Sequence, residues 1–153
     1  MDNVDLVFNP FSYLPQGKAL NHPSGMIAKA AMLKEKPCLT LGGSWIGPLN
    51  IPNKTSCYFC AIKTLESKGN LDPELRNPNI QKRAFAPPIA TCCSIAVHEA
   101  SRFLSGFDDS QILNGVIQLD MFTFSNSQYL SLETRNECVF CNPGLKNNIK
   151  GND

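Results

Sequence analysis

No stretch of these 153 residues stays apolar for the roughly 20 positions that a helix needs to cross a bilayer. An excess of charge is also missing. The formal net charge is +1, which leaves no electrostatic footprint for nucleic acid or for an anionic membrane surface. The opening residues, Met1 to Pro10, carry Asp2 and Asp5 and no basic cluster, so no secretory signal peptide is expected there. There is no Gly-x-Gly-x-x-Gly, no P-loop and no Gly-x-Ser-x-Gly, so no glycine loop is available to cradle a nucleotide phosphate. Internal repeats and low-complexity runs are absent as well. Apolar residues make up 42%, enough to bury a core, and the length fits one domain better than two.

Cysteine, in contrast, is plentiful. Seven is an odd count, and an oxidised framework would leave one thiol over. Without an export signal the expected compartment is reducing and cytoplasmic, where paired cysteines serve metals more often than disulfides. Four of them form two Cys-x-x-Cys knuckles, Cys57-Tyr58-Phe59-Cys60 and Cys138-Val139-Phe140-Cys141. Two residues between thiolates let both sulfurs point to one side of a turn, and two such turns supply four soft ligands for tetrahedral zinc. Four thiolates leave no coordination position for water, so this zinc is expected to be structural. Phe59 and Phe140 precede the second cysteine of each knuckle and would shield the sulfurs from water. The same spacing also serves free thiols, a redox pair or an iron–sulfur cluster.

Hydropathy patterning predicts an α/β order. Val4 to Phe8 reads as a buried parallel strand that starts almost at Met1, which predicts a part of something larger. After a loop from Asn9 to His22, Pro23 and Ser24 open a helix to about Lys36, with Met26, Ile27, Ala30, Ala31 and Leu33 at helical spacing. Cys38 to Leu41 reads as a second strand. Trp45 to Ile51 reads as a third, and Gly47-Pro48 within it suits an edge or a bulge. A short helix from Tyr58 to Lys68 and a long polar loop from Gly69 to Ala86 follow. Behind Pro87-Pro88, the residues Ile89, Cys93, Ala96, Val97, Ala100, Phe103 and Leu104 predict a helix ended by Gly106. Val116 to Phe124 and Tyr129 to Leu132 alternate apolar and polar, as in a hairpin. Residues 144 to 153 read as a disordered tail.

Other reactive residues carry weaker signals. Cys92-Cys93 lies in the first turn of the long helix, where thiol pKa values can fall, yet Cys93 fits the buried line as a small core residue. His98 and Glu99 read as polar-face residues or an interface pair, and His22 as a loop or helix-start residue. Lys82 and Arg83, in the long loop, are the candidates for meeting a phosphate or a carboxylate.

Several segments together resemble the C-terminal half of the ThiF/MoeB type adenylyltransferases, the superfamily that includes ubiquitin-activating enzymes. Gly43-Ser44-Trp45-Ile46-Gly47-Pro48-Leu49-Asn50-Ile51-Pro52, continuing to Cys57-Tyr58-Phe59-Cys60, looks like the segment leading to that family's first zinc knuckle. Ala86-Pro87-Pro88-Ile89-Ala90-Thr91 looks like the start of its next long helix, and Glu137-Cys138-Val139-Phe140-Cys141 like its second knuckle. Asp5-Leu6-Val7 resembles the strand that ends at the ATP site. The resemblance covers roughly residues 4 to 143 and implies a partial Rossmann-like sheet with a four-cysteine zinc site and a C-terminal β-hairpin. Residues 1–143 would then form the C-terminal portion of such a domain. The nucleotide loop and catalytic arginines belong to an N-terminal half that has no counterpart here. Asn9 and Ser12 stand where the family has acids that hold magnesium and ATP. The Gly69 to Ala86 loop, with Lys82 and Arg83, matches the crossover loop that covers the substrate tail.

The resemblance therefore implies a nucleotidyltransferase portion that supplies zinc scaffold and substrate loop for ATP-dependent activation of a carrier-protein or peptide C-terminus. It would be inactive alone, using ATP and Mg2+ only with a complementing nucleotide-binding half. The alternatives are a non-catalytic module that binds a carrier protein or leader peptide, and a zinc-stabilised remnant. The open strand edge at Val4 to Phe8 predicts association with such a half or as a homodimer.

Overall fold

The computed structural model describes residues 3–10, 21–42, 45–68, 86–120, 127–133, 138, 140 and 141. Five strands form one open sheet whose spatial order follows the chain: β1 (Val7–Asn9), β2 (Cys38–Gly42), β3 (Trp45–Asn50), β4 (Gly115–Gln118) and β5 (Gln128–Ser131). Three helices pack on it: α1 (Pro23–Leu33), α2 (Tyr58–Ser67) and α3 (Ala86–Ser105). The expected strand–helix–strand unit is present, with β1 and β2 parallel and Val7 opposite Cys38. Parallel pairing stops there. The pairs β2–β3, β3–β4 and β4–β5 are all antiparallel.

β3 departs from its expected edge position. It is the middle strand, and all six of its residues are buried. Gly47 and Pro48 are accommodated by the second device expected of them, an irregularity in the ladder. Leu39 pairs with Leu49 and Leu41 with Ile46, so two residues of β3 oppose one of β2. Gly47 has φ +100, and a Cβ there would lie 2.6 Å from the carbonyl oxygen of Gly115, so both backbone conformation and space require glycine.

Alternation along the strands sends side chains to opposite faces. Trp45 and Val116 join Ala28 and Met32 of α1 and Tyr58, Phe59, Ile62 and Leu65 of α2 in one core. Leu39, Ile46 and Leu49 join Cys92, Ala96 and Ala100 of α3, with Ile112, in the other. Burying a Leu or Ile of this kind contributes about 1.5–3 kcal/mol, so each face holds its own helices.

Both long helical patterns dock on a line only partly the expected one, keeping Ala31 of α1 and Ala96, Ala100 and Phe103 of α3. α1 buries Ala28, Ala31 and Met32, whereas Met26 and Leu33 are exposed. α3 buries Cys92, Ala96, Glu99 and Ala100, with Ile95 and Phe103 packed alongside, and leaves Ile89, Val97 and Leu104 exposed. In each helix two apolar lines compete, and the one richer in small residues wins because it lets the backbone approach the sheet. The ends follow the expected chemistry. His22 caps α1 by accepting from the Ser24 amide, with Pro at the start, and Gly106 at φ +63 ends α3. α1 stops at Leu33 rather than Lys36. There Lys34 donates to the Ala30 carbonyl and Glu35 takes φ +53 before Pro37.

The hairpin forms between β4 and β5, with Val116 opposite Leu130 and Ile117 opposite Tyr129. The turn expected at Ser125 to Ser127 falls mostly outside the described residues, as do Gly69 to Phe85 of the long loop, Lys82 and Arg83 within it, Ser12, and the tail at 144–153. Among the described residues no helix is long and apolar enough to cross a membrane.

Candidate metal centre

The strand β3 delivers the first knuckle through a polar turn. Asn50, buried at the strand's end, donates from Nδ2 to the carbonyls of Thr55 and Ser56, both at 3.2 Å. The Thr55 hydroxyl accepts from the Ile51 amide at 2.7 Å and donates to the Leu49 carbonyl at 3.2 Å. The Ser56 amide donates to Asn114 Oδ1 at 3.2 Å, and the Leu132 amide to the Asn114 carbonyl at 2.8 Å. Asn114 thus ties the approach to the first knuckle to the strand end that precedes the second. Cys57 then takes the N-cap position of α2 and Cys60 lies in its first turn. At the second knuckle the Cys141 amide donates to the Cys138 carbonyl at 3.1 Å, the tight turn that brings both sulfurs to one side.

The two knuckles meet. The sulfurs of Cys57, Cys60, Cys138 and Cys141 all lie within 4.8 Å of one another and all four residues are buried. Across the knuckles, Cys57 Sγ is 3.7 Å from Cys138 Sγ and Cys60 Sγ is 3.4 Å from Cys141 Sγ. Tetrahedral zinc with Zn–S bonds near 2.3 Å needs sulfur separations of about 3.8 Å, so the spacing fits such an ion. Phe59 and Phe140 stack on each other, centroids 4.0 Å apart and planes 17° from parallel, one ring from each knuckle. Hydrogen bonds from the Cys141 and Cys57 thiols hold Cys138 far below the ordinary thiol range, and the partnership with Cys138 pushes Cys57 and Cys141 up. Four thiolates this close would repel one another, and a divalent cation among them would relieve that repulsion.

A hydrogen-bond chain supports this centre from α1. His22 Nδ1 accepts from the Ser24 amide and so cannot carry a proton, which makes the Ser24 hydroxyl its donor at 2.8 Å. Ser24 Oγ then accepts from the Tyr58 hydroxyl at 2.8 Å, beside Cys57. Asn9, at the C-terminal end of β1, is fully buried and donates from Nδ2 to the Ser24 carbonyl at 2.9 Å, while its Oδ1 finds no partner among the described residues.

The remaining cysteines stay apart from the cluster. Burial pushes the Cys38 thiol up to about 12. Cys92, rather than Cys93, is the buried member of its pair, and burial raises its pKa as well. His98 is exposed, whereas Glu99 is buried. Glu99 accepts from the Ser110 hydroxyl and the Gln111 amide, both at 2.7 Å, and from Arg102 at 3.3 Å, clipping α3 to the turn that leads into β4. Glu99, expected on a polar face or in an interface pair with His98, is buried instead, and Asn50 and Asn114 were given no role from sequence. Only the Glu99–Arg102 spacing of three residues signalled a partner.

No protein-family pattern matches the chain, and neither does any curated sequence. Solved structures do. The chain matches a complex of E. coli MccB with succinimide at TM-score 0.63 and 18% identity, over 90% of this chain and 39% of that one. It matches the microcin C7 biosynthetic enzyme MccB in complex with N-formylated MccA at TM-score 0.63 and 20% identity, over 90% and 41%. A heterocyclase in complex with substrate and cofactor matches at TM-score 0.62 and 15% identity, over 89% and 25%. The chain therefore shares the fold of a portion of these enzymes and spans about two fifths of MccB's length.

Proposed function

We propose that this chain is a ThiF-type module for modifying peptides, in which a zinc ion held by Cys57, Cys60, Cys138 and Cys141 is the scaffold. The observation that carries the reading is the convergence of four buried sulfurs, from segments 81 residues apart, on a fold shared with part of MccB. Solved MccB structures include complexes with ATP and with the peptide MccA. In this reading the substrate is a peptide or carrier-protein C-terminus. Its carboxylate attacks the α-phosphate of Mg-ATP and displaces pyrophosphate. A separate nucleotide-binding half, or a homodimeric partner, supplies the phosphate loop that this sequence lacks. Residues 1–143 are the module. Lys82 and Arg83 meet the substrate, and the zinc takes no part in bond making, because four thiolates fill its coordination sphere. A cytoplasmic setting keeps those thiols reduced.

One residue favours the non-catalytic alternative, a module that only binds a leader peptide or carrier protein. Asn9 sits at the end of β1 with a neutral amide, whereas magnesium coordination there would call for an acid. Calorimetry separates the two readings. The chain alone should bind no Mg-ATP, and a micromolar dissociation constant would overturn the module reading. Adding a nucleotide-binding half should produce peptide-dependent ATP–pyrophosphate exchange if the first reading is right. If exchange stays absent while peptide binding persists, and is weakened by Lys82→Ala with Arg83→Ala, the second is right.

A further inference from the structure

The four sulfurs are not equally protected. Cys60 is 0% exposed and Cys57 1%, whereas Cys138 is 4% and Cys141 8%. Cys141 is thus the least covered residue of the four. Directly behind Cys141, at 3.4 Å, stands Cys60 of the other knuckle, and Cys57 and Cys138 face each other at 3.7 Å. A disulfide needs its sulfurs to close to about 2.05 Å, so the first pair must close by about 1.4 Å and the second by about 1.7 Å.

We propose that this cluster is a peroxide-sensitive modification site, in which oxidation links the two knuckles as Cys60–Cys141 and then Cys57–Cys138 and expels the metal. The proposal rests on the zinc reading above. In the first step the Cys141 thiolate attacks a peroxide oxygen, the O–O bond breaks, hydroxide leaves and a sulfenic acid remains. The Cys60 thiolate attacks that sulfur, a second hydroxide leaves and the disulfide forms. Two thiolates are then left for the ion, too few to hold it, and it departs with its charge unchanged. The same two steps join Cys57 and Cys138 at the expense of a second peroxide. Four thiolates and two peroxides thus become two disulfides and four hydroxides. The new bonds run between the segments that the metal held together, so the oxidised chain keeps the tie across its 81-residue separation after the ion has gone.

The test uses the full zinc-loaded chain, unmutated. Its zinc content is measured first. It is then titrated with hydrogen peroxide while a chromogenic chelator reports release. Remaining thiols are alkylated, and the chain is digested without reduction by trypsin and chymotrypsin. Cleavage after Tyr58, Phe59 and Phe140 separates the two cysteines of each knuckle. The expected map has Cys60–Cys141 appearing in step with zinc release, Cys57–Cys138 following, and Cys38 still alkylated after denaturation. Cys57–Cys60 or Cys138–Cys141 as the main product from a zinc-loaded chain would overturn the cross-knuckle pairing alone, as would zinc retention. A folded chain that carries no metal before oxidation would overturn the zinc reading and, with it, the release step.

Discussion

The two faces of the sheet bury similar kinds of apolar side chain but are closed by different means. Under α3 the closure is continuous. Twenty residues of one helix lay Cys92, Ala96 and Ala100 on Leu39, Ile46 and Leu49, and a single carboxylate, Glu99, fastens the turn at Ser110 and Gln111. Under α1 and α2 the helices are 11 and 10 residues long, and the covering is completed by isolated residues of a distant segment, Cys138, Phe140 and Cys141. Where one long helix covers a face, packing area is enough. Where short pieces must be gathered from across the chain, directional ties take its place: four converging thiols, a ring stack and the Tyr58–Ser24–His22 chain.

That contrast can be broken most forcefully at the cysteines. Removing the ion with a chelator, or Cys138→Ser, should cost on the order of 10 kcal/mol of metal-linked stability. This is comparable to the roughly 5–15 kcal/mol that holds a domain of this size, so circular dichroism should show the chain unfolded. Cys38→Ser, in the packed sheet, should leave a folded, metal-loaded chain. On the other face, Glu99→Ala leaves the Ser110 hydroxyl and the Gln111 amide without their acceptor, while Arg102 keeps Asp108, and should cost about 2–3 kcal/mol in urea unfolding, with metal content unchanged. Tyr58→Phe deletes one link of the chain that braces the first knuckle and should cost about 1 kcal/mol. A chelator-competition assay should show weaker metal retention for Tyr58→Phe and unchanged retention for Glu99→Ala. Val97→Ser, on the solvent side of α3, should stay within about 0.5 kcal/mol of the parent. A larger loss would mean that this side is covered in solution.

The four-cysteine cluster was the part most legible in sequence, because Cys-x-x-Cys is a local spacing with a local cause, and two copies predict their own meeting. The helices and strands were legible for the same reason. What one sequence does not carry is which of two apolar lines on a helix faces inward. On α3, Ala96 and Ala100 were read as inward and are, but Ile89, Cys93 and Val97 were read with them where the fold takes Cys92 and Ile95, and the choice depends on how closely the backbone must approach Leu39 and Ile46. The central place of β3 was hidden by Gly47-Pro48, since a proline that argues against an inner strand becomes acceptable once a bulge removes its ladder partner. Asn50, Asn114 and Glu99 look like ordinary polar residues until the fold brings backbone groups to them.

The stacked rings of Phe59 and Phe140 also place events in time. As the chain is made, Cys57 and Cys60 exist 81 residues before their partners. At about 5–20 residues per second that is an interval of roughly 4–16 s. For that interval the first knuckle can offer only half a coordination sphere and an aromatic ring with nothing to stack on. The α1–α2 face of the sheet can therefore not be sealed progressively during synthesis. It closes in one late step, when Phe140 and Cys141 arrive.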